Sequence, residues 1–228
     1  MTRLAVLQPS YLPWLGHLEQ IGTSDVFVFY DDVQFDKNGW RNRNRIRTES
    51  KEGWSWLTLP VLHDEHFPPI DRVRIDARMP WRRKHRRALE AAYARAPHRE
   101  LLSCLDSLFA GESENLADVA IASTRALLDA LDIATPLYRS SELGIGGDRN
   151  ERLLNLCKHF GATHYYSGAA ARAYLDVALF EREGITVEWQ DYQHPAYEQV
   201  REPFVSHLSA IDALLCVGTD ARKFVTRD

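Results

Sequence analysis

The apolar positions along this chain fall into short runs whose period changes several times. Leu4 to Pro9, "LAVLQP", is a continuous apolar run closed by a proline, the pattern of a short strand covered on both faces. Leu15, Leu18 and Ile21 then recur at helical spacing after a loop holding two prolines and a glycine. "DVFVFYDD", Asp25 to Asp32, is the clearest strand in the chain, rich in valine and aromatic residues. Trp54 to Val61 reads as another strand, and Arg72 to Asp76 as a shorter one with alternation. Pro80 marks a helix start, and a long helix is predicted to about Ala96. Two more follow, over roughly Arg99 to Phe109 and Leu116 to Leu131.

The remaining third alternates again. Thr135 to Leu143 reads as strand plus loop. A glycine-rich loop feeds a helix from Asn150 to Phe160, with Gly161 as the residue past its end. Thr163 to Gly168 is a strand entering a tight turn, Tyr174 to Gly184 a short helix, and Ile185 to Tyr192 a strand. A C-terminal helix is predicted over Ser206 to Gly218, capped by serine and ended by glycine. Strands alternate with helices at both ends and helices cluster between. The order predicts a single α/β domain with a mostly parallel, Rossmann-like sheet and a helical insertion at about 80–132.

Composition adds limits. The 228 residues are 45% hydrophobic and 26% charged, with a net charge of -4, so affinity for anions must come from a local patch. No run approaches the ~18 apolar residues of a membrane span, and the first apolar run is too short for a signal segment. The expected compartment is the cytoplasm. Cys104, Cys157 and Cys216 are widely spaced, without CxxC, and read as small core residues. The "RRKHRR" run, Arg82 to Arg87, winds around a helix and spreads its charge over several faces, so no nucleic-acid partner is expected.

The candidate chemistry concentrates in "FYDDVQFDKNGWRNRNRIR", Phe29 to Arg47. Asp31 and Asp32 stand at the C-terminal end of the second strand, where open α/β sheets bind ligands. A carboxylate pair there can hold a magnesium ion or supply a general base. Adjacent strand residues point to opposite faces, which favours one member, Asp32 slightly, for the pocket. If residues 41–47 were extended, Arg41, Arg43, Arg45 and Arg47 would share a face, with Trp40, Asn42, Asn44 and Ile46 on the other. Such a set suits a phosphate or carboxylate ligand; an internal Asp–Arg brace is the competing reading. Asn42 and Asn44 argue for a loop here.

Smaller signals lie elsewhere. "WLGH", Trp14 to His17, is half of an HxGH motif ahead of a helix and raises nucleotidyl transfer as one possibility, with His17 as the phosphate contact. Ser167 and Gly168 sit in a strand–turn–helix setting without the GxSxG pattern. The "GIGG" loop at 144–147 is neither a P-loop nor GxGxxG and reads as plain loop. "HDEH", His63 to His66, is a weak metal pattern, and His194 is a candidate acid or base in a loop after a strand. No cofactor motif is legible, and no metal is assigned.

Four blocks, "LAVLQPSYLPWLGH", "DVFVFYDDVQFDKNGWRNRNRI", "GATHYYSG" and "SHLSAIDALL", resemble in that order the WbqC-like protein family, and they span nearly the whole chain. Such proteins are encountered among bacterial genes for O-antigen, other surface polysaccharides and secondary metabolites. The resemblance implies a transferase that acylates or aminoacylates an amino sugar or similar small amine, with a small anionic or sugar-nucleotide-like substrate. A non-catalytic binding protein for an anionic metabolite is the alternative. The matching blocks mark Gln8, Asp31, Asp32, Lys37, Trp40, Asn42, Arg43, Arg45, Ser167 and Gly168 as expected site residues.

Overall fold

The computed structural model describes residues 1–37, 39–62 and 68–227. In chain order the strands are β1 (Arg3–Leu7), β2 (Val26–Phe29), β3 (Arg43–Arg47), β4 (Trp54–Thr58), β5 (Leu137–Arg139), β6 (His164–Ser167) and β7 (Thr186–Trp189). Five of them form one sheet in the order β5-β2-β1-β6-β7, and every pairing in it is parallel. The chain therefore starts at the centre of the sheet, winds to one edge, then returns and winds to the other. This is the Rossmann-like order, and its direction reverses between β1 and β6.

Alternation of side chains explains why the sheet is covered twice. Leu4, Val6, Val28 and Tyr165 pack in one cluster with Leu153, Leu156 and Phe180. Ala5, Phe27, Phe29 and Tyr166 face the other way, toward Leu18, Leu127 and Leu214. The first layer holds α6 (Arg149–His159) and α7 (Val177–Arg182). The opposite layer holds α1 (Leu15–Gly22), α4 (Leu116–Ala130) and α8 (Ala210–Val217). Strands buried on both faces need apolar residues at every position, and "LAVL" and "VFVF" supply them.

The step from β2 to β5 carries the expansion. It contains the antiparallel β3–β4 hairpin, then α2 (Trp81–Ala92), a 3-10 stretch at Arg99–Leu105, α3 (Asp106–Ala110) and α4. The helix expected over Arg99 to Phe109 is thus split in two. Residues 72–76 form only isolated bridges, Arg74 with Asn115 and Ile75 with Val61, because their neighbours are single loop residues and not a strand. Residues 43–47 are a true strand despite their asparagines: Asn44 is fully buried, and its Oδ1 accepts from the Arg45 backbone N–H at 2.9 Å. After β5 the chain forms a short helix, α5 (Ser140–Leu143), where loop was expected. The C-terminal helix starts at Ala210, not Ser206. His207 has a φ of 58°, which a right-handed helix cannot include, and Ser209 becomes the cap.

Candidate functional site at the sheet switch point

A cavity of about 770 Å³ opens where the sheet reverses direction. Gln8 follows β1, Tyr30 follows β2, and Ser167 and Gly168 end β6; all four line it. The far wall is the first turn and a half of α6, with Arg149 and Arg152, together with Tyr174. Arg41 enters from the segment leading to β3. The cavity thus has three guanidinium groups on its walls, and Asp148 is its one carboxylate among the described lining residues.

Each cation is positioned by a different device. Arg41 donates from Nη1 to the Gln8 carbonyl at 3.0 Å, and its own carbonyl accepts from the Tyr11 N–H at 3.0 Å. Burial lowers its pKa. Arg149 stands over the Tyr174 ring, 3.4 Å from its centroid. Arg152 donates from Nε to the Ile145 carbonyl at 2.8 Å, lies 4.9 Å from the Tyr30 ring centroid, and pairs with Asp32. Asp148 is occupied at the start of α6. Its Oδ1 accepts from the N–H groups of Asn150 and Glu151 at 2.9 and 3.0 Å, and Glu151 returns a bond to the Asp148 N–H at 3.2 Å. That box fixes where the helix begins. Arg149 and Arg152, three residues apart, then share the face turned to the cavity.

The acidic pair is divided by its surroundings. Asp31 has no exposed surface. Its oxygens accept from Arg139 Nε at 2.7 Å, the Ser141 N–H at 3.0 Å and the Ser141 hydroxyl at 2.8 Å. These bonds tie the end of β2 to the start of α5. Asp32 is partly open and holds Arg152 and the Ser140 hydroxyl. Neither carboxylate lines the cavity. Asp71 lies close by, its pKa raised by burial and by Asp31 and Asp32. No group of three acidic, histidine or cysteine side chains suited to a metal ion occurs among the described residues.

The arginine run does not present one face to a ligand. Arg41 reaches the cavity. Arg43 and Arg45 lie on the outer face of the β3–β4 hairpin against tryptophans. Arg47 is fully buried elsewhere. Trp40 stands on that outer face, exposed, and Lys37 is exposed in the loop before it. Asn42 is buried and donates to the Leu59 carbonyl at 2.9 Å. The cavity therefore brings together Gln8, Ser167 and Gly168 of the expected set, and not Lys37, Trp40, Asn42, Arg43 or Arg45.

Both candidate histidines are placed away from it. His17 is buried inside the first turn of α1, and burial with the nearby Arg41 lowers its pKa to about 3. The α1 N-terminus is closed as well: Trp14 lies over Gly16, where a Cβ would collide with the ring, and the Pro13 carbonyl accepts from the Ala210 N–H at 2.8 Å. A buried neutral imidazole cannot meet a phosphate, so the half-HxGH reading loses its ligand contact. His194 is half-buried among Trp14, Tyr197, Phe204 and His207. Burial lowers its pKa, and Nδ1 donates to the Pro195 carbonyl at 2.9 Å. The His63–His66 pattern lies outside the described residues.

Arg149 and Arg152 fall outside the residues expected from sequence, in the segment that reads as a plain loop and helix. Their signal is the pair of arginines three apart behind an Asp-x-x-Glu capping box and a run of glycines. No helix is long and apolar enough to cross a membrane among the described residues.

Comparison with known proteins agrees with the blocks noted above. The chain is 35% identical over 228 residues to the uncharacterised protein Rv1507c of Mycobacterium tuberculosis, covering 99% of this chain and 98% of that one. No solved structure matches. The model of the WbqC-like protein family matches residues 8–224, a span that starts just after β1 and includes most of the cavity lining and α8, and the chain belongs to that family.

Proposed function

We propose that this chain is a transferase that takes an anionic, sugar-nucleotide-like substrate into the switch-point cavity. There it acylates or aminoacylates an amino sugar or a similar small amine for polysaccharide or secondary-metabolite synthesis. One observation carries the binding half of this reading: Arg41, Arg149 and Arg152 converge on one 770 Å³ cavity at the C-terminal ends of parallel strands. Guanidinium forks match phosphate oxygens, and a partly enclosed site strengthens the match. Tyr30 and Tyr174 offer ring walls beside those cations. The reaction class is inferred from the resemblance described above and from no motif in the chain. In that reaction the amine lone pair forms a C–N bond at an acyl carbonyl, the bond to the donor's leaving group breaks, and the amine proton leaves with that group or to water. Asp32 holds Arg152 in place in this scheme and does not itself reach the substrate.

A second reading is favoured by a specific feature. Asp148, the one carboxylate among the described lining residues, is committed to the α6 cap, and no histidine is among them. A site that binds anions without a placed general base suits a non-catalytic binding protein. Incubation with a panel of sugar nucleotides and activated acyl donors, followed by mass spectrometry, separates the two. Product beyond one equivalent of protein supports the transferase. Saturable binding without turnover across the panel moves the assignment to the binding protein. Absence of any sugar-nucleotide binding sinks both.

A further inference from the structure

The outer face of the β3–β4 hairpin carries a second concentration of chemistry that the cavity does not use. Register sets Arg45 opposite Trp56 and Arg43 opposite Thr58. The Arg43 guanidinium lies 4.4 Å from the Trp56 ring centroid. Arg45 lies between two rings, 5.1 Å from Trp40 and 4.9 Å from Trp54. The Trp40 and Trp56 centroids are 5.1 Å apart, and the two side chains are 38% and 37% exposed. The solvent face of a two-stranded antiparallel pair is ordinarily polar. Two partly exposed indoles there, each with a guanidinium beside its ring, make an aromatic and cationic patch.

Arg45 gives that patch its sign. Its Nη2 donates to the His207 carbonyl at 3.0 Å, while its buried Nε has no acceptor among the described residues. Among the described residues no carboxylate pairs with it. Burial lowers its pKa, so water has been partly removed without a counter-charge to replace it. A desolvated cation beside two partly exposed indoles matches a ligand with an aliphatic ring face and one anionic group. Indoles stack on the C–H faces of sugar rings, and the guanidinium fork takes a carboxylate or phosphate.

We infer that the outer face of the β3–β4 hairpin is a second ligand site, for an anionic pyranose whose ring packs on Trp40 and Trp56 and whose charge is held by Arg45. It stands on residues outside the cavity and does not depend on the transferase reading. The Trp40–Arg41 peptide joins the two sites. Ser10 Oγ donates to the Trp40 carbonyl at 2.7 Å, and the next residue's guanidinium reaches the cavity. A charged sugar on the platform would sit at the cavity's shoulder.

The test titrates the full chain with glucuronic acid and with glucose 6-phosphate, using glucose and inorganic phosphate as controls. The readouts are tryptophan fluorescence, indole N–H shifts and the His207 titration followed by NMR. One or both anionic sugars should perturb the Trp40 and Trp56 signals saturably. Both controls should bind about tenfold weaker or less, and Arg45→Gln or Trp40→Ala should weaken the response by about tenfold. The bound anion should also raise the His207 pKa, which burial and then Arg45 depress in the ligand-free protein. Arg149→Ala should leave this response intact, which separates it from cavity binding. If glucuronic acid alone responds, the anion is a carboxylate; if the phosphate sugar alone does, it is a phosphate. The inference is overturned if neither anionic sugar gives a saturable response, if inorganic phosphate binds as well as they do, or if Arg45→Gln retains full binding. Trp40 lies outside both strands, so these variants do not rest on the hairpin tolerating a change at Trp56.

Discussion

Two places in this molecule assemble the same residue types, an aspartate, an arginine and tyrosines, and use them in opposite ways. In the first, Asp212 is fully buried on the first turn of α8. Its Oδ1 accepts from the Tyr93 hydroxyl at 2.9 Å, and its Oδ2 from Tyr197 and Gln199 at 2.8 Å each. Arg47, equally buried, gives its N–H groups to the carbonyls of Gly53, Arg201 and Pro203, and its backbone N–H to the Tyr93 hydroxyl. In the second, Arg152 and Tyr30 stand on the wall of the switch-point cavity, and Asp32 pairs with Arg152 from outside the lining. The closed set spends its hydrogen-bonding capacity inside the protein, all but the Arg47 Nε. The open set aims part of it into a void. Residue type does not distinguish a brace from a binding wall; the number of partners already taken does.

The largest expected effect therefore falls on the closed set. Asp212→Ala leaves two phenol O–H groups and one N–H of the Gln199 amide without the acceptor they share and should cost about 3–5 kcal/mol of stability in a denaturant titration. Sugar-nucleotide binding by the folded fraction should be unchanged. A loss below about 1 kcal/mol would show that the closed set is not a brace. The mirror experiment is Arg149→Ala. It should weaken sugar-nucleotide binding by about tenfold to a hundredfold, measured by calorimetry, and alter stability by less than about 0.5 kcal/mol. Equal losses of binding and stability would erase the contrast between the two regions.

Acid should act through two further buried groups that belong to neither set. His17 and His85 are buried on the side of the sheet away from α6, and burial lowers their pKa values to about 3 and about 4. Their neutral forms are favoured in the folded chain, and the unfolded chain takes up a proton near pH ~6.5. Their contribution is thus fully present above that pH. It is lost as the pH falls toward the folded values, at up to about 1.4 kcal/mol per pH unit for each histidine. His17→Gln and His85→Gln should each flatten the acid limb of a stability-against-pH curve by about that slope. An unchanged limb would mean that neither histidine is held neutral.

What could be read in advance follows the same division. β1 and β2 are legible because strands covered on both faces must be largely apolar, and that pattern is local. Asp31 and Asp32 were legible as a strand end for the same reason. Their separate fates were not, because the groups that consume Asp31 arrive from Arg139, Ser140 and Ser141, far along the chain. The alternating arginines misled in a comparable way. The period of two holds from Arg43 to Arg47, but Arg41 precedes the strand and turns into the cavity. Arg47 is enclosed by carbonyls of residues 201 and 203, which no local pattern announces. Arg149 and Arg152 match no known phosphate loop, so only the topology, which brings the start of α6 to the reversal between β1 and β6, gives them their place.

Ser140 joins the two kinds of environment, and it carries the smallest prediction. Its hydroxyl oxygen accepts from the Asp31 N–H at 3.1 Å and lies within bonding distance of one oxygen of each carboxylate. A hydroxyl has one proton to give, and the shorter contact is to Asp32. Ser140→Ala should leave Asp31 satisfied by Arg139 and Ser141, at a cost of about 1 kcal/mol in stability. Asp32 would keep Arg152 but lose the bond that fixes its rotamer. Arg152 should then wander at the cavity wall, and sugar-nucleotide affinity should fall by about threefold, less than for Arg149→Ala. Serine restored in the same background must recover both properties. If the alanine variant binds as tightly as the parent while losing stability, Asp32 is held by Arg152 alone, and the closed carboxylate has no influence on the open one.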